Sequence, residues 1–100
     1  MTTRASASLK HAFKRFVELV QPIDDVRYVV AFDDGSPEIF TYITKLDEDV
    51  SVQVFHAEHL IMEDFPEVPI EFHVRYLEGR PLDSFVRPLP PLFYSKAASE

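Results

Sequence analysis

Cysteine is absent from the 100 residues, which excludes a disulfide framework, thiol catalysis and cysteine zinc sites together. Long apolar runs are missing as well. No stretch approaches the roughly 20 residues of a membrane span, and the first residues lack the apolar core of a signal peptide. The missing span and signal core predict a cytoplasmic protein, and without cysteine its stability must come from packing. No catalytic, metal-binding or nucleic-acid motif rises above chance spacing, so no cofactor is expected.

Basic residues are scarce in the middle of the chain. Residues 21–71 hold thirteen acids against Arg27 and Lys45, a net of −11. Residues 1–20 carry Arg4, Lys10, Lys14 and Arg15 against Glu18, a net of +3, and the whole chain sums to −7. A field of that sign repels phosphate backbones and argues against nucleic acid as a direct partner. The acidic block is either a solvated face or a patch for a basic partner, including the basic first helix of a second copy.

What is present is enough to fold. A hydrophobic content of 46% with 13% aromatics can fill one modest core, predicting a single domain over residues 6–86 between disordered ends at 1–5 and 95–100. The segment Asp47 to Phe65 organises the rest. Its apolar positions Val50, Val54, Ala57, Ile61 and Phe65 recur at helical spacing. Val50, Val52 and Val54 also alternate like a strand, but the alternation fails from Phe55 while the helical stripe continues, so a helix is favoured. Asp47, Glu48 and Asp49 suit its N-terminus, and Pro66 ends it.

Ahead of it, Ser6 or Ser8 can cap a helix reaching about Gln21, with Leu9, Phe13, Phe16, Val17 and Val20 on its buried face and Lys10, His11, Lys14 and Glu18 outside. Val26 to Phe32 and Glu38 to Thr44 are rich in strand formers, and Asp34-Gly35 between them predicts a β-hairpin. Turn chemistry accounts for Asp33, Asp34 and Ser36 without a catalytic or metal role. Beyond the central helix, Ile70, Phe72, Val74 and Tyr76 alternate with Glu71, His73 and Arg75, which predicts a third strand with one core face and one polar face. The expected fold is α+β in the order α-β-β-α-β, a three-stranded, mainly antiparallel sheet with two helices on one face. The third strand pairs beside either the first or the second; the sequence leaves both open.

Gly79-Arg80-Pro81 predicts a turn and Leu82 to Val86 a single helical turn. Residues 87–94 then read as an extended, proline-rich strap. Within it Arg87 to Leu92, RPLPPL, resembles the core of a class I SH3-domain ligand, with Phe93 where that pattern wants another proline. The aromatics that follow favour a strap packed on the domain or on a second subunit.

Three sets of residues are candidates for function. Phe55 and Met62 on one flank of the central helix and Leu60 on the other, with Leu89, Leu92, Phe93 and Tyr94 of the strap, are more apolar surface than a three-stranded monomer readily covers. They predict a partner-binding surface and a homodimer. His73 and Arg75, on the polar face of the third strand, are the alternative, a small-anion or hydrolytic site. His56, His59 and Glu63 share the outer side of the central helix. They offer three metal donors but do not match the HExxH spacing, and an exposed helix face is the plainer reading. The function expected is a non-catalytic protein-interaction or regulatory module acting on itself or another protein.

Overall fold

Apolar residues spaced three and four apart build one helical layer of this computed structural model, which describes residues 2–86 and 90–96, with side chains from residue 8 onward. Helix α1, Thr2–Val20, buries Leu9, Ala12, Phe13, Phe16 and Val20 and leaves Lys10, His11, Lys14, Arg15 and Glu18 exposed. It starts earlier than the sequence suggests, so Ser6 and Ser8 lie within the helix. Helix α2, Glu48–Asp64, is helical throughout and buries Val50, Val54, Ala57 and Ile61. Its N-cap is Asp47, whose carboxylate accepts a hydrogen bond from the Val50 N–H at 3.2 Å. Val52 of the rival strand reading stands 59% exposed on its outer side.

Strands β1, Val26–Asp34, and β2, Ser36–Ile43, form the expected hairpin, tighter than anticipated: Asp34 already faces Ser36 across the ladder, and only Gly35 lies outside it. Its φ of 87° is one that glycine adopts without strain. A register irregularity between Val26 and Tyr28 brings Val26 into the same core as Val29 and Ala31.

Strand β3, Glu71–Tyr76, lies beside β2 and runs parallel to it, because α2 carries the chain back across the sheet before β3 begins. A fourth strand, β4, Leu92–Ser95, pairs antiparallel with β1 on its other edge. The sheet is therefore mixed and four-stranded, in the order β3-β2-β1-β4, rather than three-stranded and mainly antiparallel. The extended strap expected over residues 87–94 thus ends in an edge strand, which Leu92 to Ser95 can form because the run begins after Pro91. Ser95, assigned above to a disordered end, belongs to this strand, and Lys96 continues it by donating its N–H to the Arg27 carbonyl. The Nζ of Lys96 also reaches the Gln21 and Ile23 carbonyls just past α1. The strap residues Arg87, Pro88 and Leu89 lie outside the described residues.

Both helices pack on one sheet face, against Val29, Ala31, Ile39, Ile43, Phe72, Val74, Tyr76, Leu92 and Tyr94. Phe16 is fully buried there, its ring 5.4 Å from that of Phe72. The other face carries a second, smaller apolar cluster. Leu77, Leu82 and Val86, around the single 3-10 turn Leu82–Ser84, cover Val30 and Tyr42, with Tyr28, Phe32, Phe40 and Phe85 at the margin. Among the described residues no helix is long and apolar enough to cross a membrane.

Candidate functional site

The outer side of α2 is the surface least explained by folding. A helix on a sheet needs one apolar stripe, and Val50, Val54, Ala57 and Ile61 supply it. Yet Phe55 is 53% and Met62 50% exposed, both on the flank anticipated from spacing. Covering the open half of each ring or chain would gain about 1 kcal/mol apiece. On the opposite flank Leu60 enters a groove of about 450 Å³ between α2 and the end of α1, floored by Leu19, Pro22, Ile23, Val52 and Ala57 and edged by Gln53 and His56. The lining is mostly apolar, and the space is open rather than enclosed.

The fixed charges carried by α2 itself have one sign. From residue 46 to residue 74 the sequence contains no lysine or arginine, whereas Glu48, Asp49, Glu63 and Asp64 stand exposed on α2 itself. His59 pairs with Glu63 at 3.1 Å through Nε2, both side chains well exposed, an ordinary helix i,i+4 contact. Among the described residues His56, His59 and Glu63 do not converge as a three-donor set. Compared with known proteins, the chain matches no family model, no curated protein and no solved structure.

Just inside the exposed flank lies a group that sequence reasoning passed over. Glu58 is 8% exposed, and its Oε2 is shielded from water without a hydrogen-bond partner. Burial pushes its carboxyl up from 4.5 to about 7. Its position between the core stripe and Phe55 was legible from helical spacing; that the helix would sink far enough to cover it was not.

The strap candidates divide between the two sheet faces. Leu92 and Tyr94 are half-buried against the helix-side core, while Phe93 points to the other face and stacks with Tyr28 at 6.3 Å. Leu89 is outside the described residues.

His73 and Arg75 do share the sheet face away from the helices. The His73 imidazole stacks on Phe40 at 4.3 Å, and the Arg75 guanidinium lies 5.3 Å from the centre of the same ring. Burial pushes the neighbouring Tyr42 hydroxyl up, against the opposing pull of Arg75. Carboxylates crowd this corner: Glu38 Oε2 is 3.4 Å from His73 Nε2, and Glu71 brings a third donor within 4.8 Å of both. Negative charge at that density opposes the small anion anticipated there. No nucleophile paired with a base appears among the described contacts of this face.

Proposed function

We propose that this chain is a non-catalytic protein-interaction module that assembles as a homodimer through the outer face of its helical layer. The observation that carries the reading is the outer side of α2, where Phe55 and Met62 on one flank and Val52 with the Leu60 groove on the other leave apolar area open among exposed acids. A second copy offers the complement. Helix α1 packs beside α2 and presents Lys10, Lys14 and Arg15 away from the sheet. A two-fold axis through the helical layer sets each basic α1 against the acidic α2 of the other copy, so both contacts form at once. Apolar side chains at the centre with charges around them is the anatomy of a stable interface.

Light scattering on the full chain tests this directly. The expected molar mass at about 0.1 mM protein is twice the 11.6 kDa of one chain, because even a micromolar complex is then nearly saturated. Phe55→Ser with Met62→Ser should return the mass to that of one chain with unchanged circular dichroism. Lys14→Glu should weaken the dimer, as should high salt, through the charge contact. A wild-type monomer at this concentration, or a dimer indifferent to the double substitution, sinks the reading.

A further inference from the structure

We infer that Glu38, Glu71 and His73 form a divalent-cation site, and that Zn²⁺ is the ion this donor set suits. Strand pairing builds it. In the parallel ladder Glu38 lies opposite Glu71 and Phe40 opposite His73, and alternation along β3 puts Glu71 and His73 on the same side. One oxygen from each glutamate and one imidazole nitrogen then lie within 4.8 Å of one another.

The histidine shows that this is more than a collection of surface acids. Its Nε2 is shielded from solvent and accepts or donates no hydrogen bond among the described residues, although the ring is held in place by the stack on Phe40. Glu38 Oε2 lies 3.4 Å from that nitrogen, outside the line of a hydrogen bond. With zinc–nitrogen and zinc–oxygen bonds of about 2.0 to 2.2 Å, a tetrahedral ion separates its donors by roughly 3.4 Å, so this pair already spans one edge of the tetrahedron. Glu71 is exposed, and its oxygen, within 4.8 Å of the other two donors, would supply the third. The fourth position opens to water. An imidazole among the donors selects zinc over calcium or magnesium, which favour oxygen-only shells. The ion would neutralise the two carboxylates and clamp the β3 edge to β2.

Isothermal titration of the chelator-stripped full chain with ZnCl2 at neutral pH, read beside the imidazole ¹⁵N resonances, decides the matter. One zinc per chain is expected, with the His73 Nε2 resonance shifting while those of His56 and His59 stay in place. Glu71→Gln, at an exposed position that should leave folding intact, is expected to weaken binding at least tenfold. Glu38→Gln should do the same, and zinc should raise the melting temperature of the wild type alone. Three results would each overturn the site: no binding at millimolar zinc, a shift at His56 or His59 instead of His73, or unchanged affinity in Glu71→Gln.

Discussion

Replacing Glu58 by glutamine should change how the stability of this protein depends on pH. The carboxyl is 8% exposed with one oxygen unpartnered, and burial raises it from 4.5 to about 7. Between those values the folded chain keeps a proton that the unfolded chain has released, so stability falls as pH rises. A shift of that size corresponds to roughly 3 kcal/mol lost by pH 8, most of it between pH 5 and pH 7. Glu58→Gln has nothing to titrate. Urea unfolding followed by circular dichroism at pH 5, 6, 7 and 8 gives each stability directly. The quantity to read is the difference between variant and wild type, in which the other carboxylates cancel. It should grow in the variant's favour by about 2 kcal/mol or more from pH 5 to pH 8. Any constant offset from burying an amide leaves that slope untouched. Parallel profiles would refute the reasoning and would mean that the carboxylate reaches water when it ionises.

Two further expectations concern the framework. Phe16→Ala empties the junction between α1 and β3, where the ring is fully buried beside Phe72, and should cost about 3 to 5 kcal/mol in the same urea assay. Asp47→Ala removes the acceptor for the Val50 N–H and should cost about 1 kcal/mol, with Asp47→Asn recovering most of it.

Local patterns in this sequence translated well into local structure. The period of α2, the Asp-Gly turn of the hairpin and the alternation along β3 each report contacts within a few residues, and each element formed at the expected place. What depends on distant parts of the chain did not show. Nothing in Glu71 to Tyr76 encodes which strand it will join, so the meeting of Glu38 with Glu71 and His73 had no signal in the sequence. His73 and Arg75 were noticed as polar residues on one face, but without the partner strand their neighbours were unknown. β4 was hidden by its surroundings, because Pro88, Pro90 and Pro91 make the stretch read as an extended strap while four residues after them suffice for an edge. Leu92 and Tyr94 consequently looked like surplus apolar surface when they complete the helix-side core.

The place of β1 in the sheet has a kinetic side. One of its neighbours, β2, lies just across Gly35, and closing that hairpin demands almost no loop entropy. Its other neighbour, β4, is synthesised long afterwards, with α2 and β3 in between. Until Leu92 to Ser95 arrive, the backbone of Tyr28 to Ala31 on that side presents free hydrogen-bonding groups to whatever is near. The longest-range strand pairing thus seals the strand at the heart of the sheet, and a half-made chain is sticky at its centre rather than at its rim.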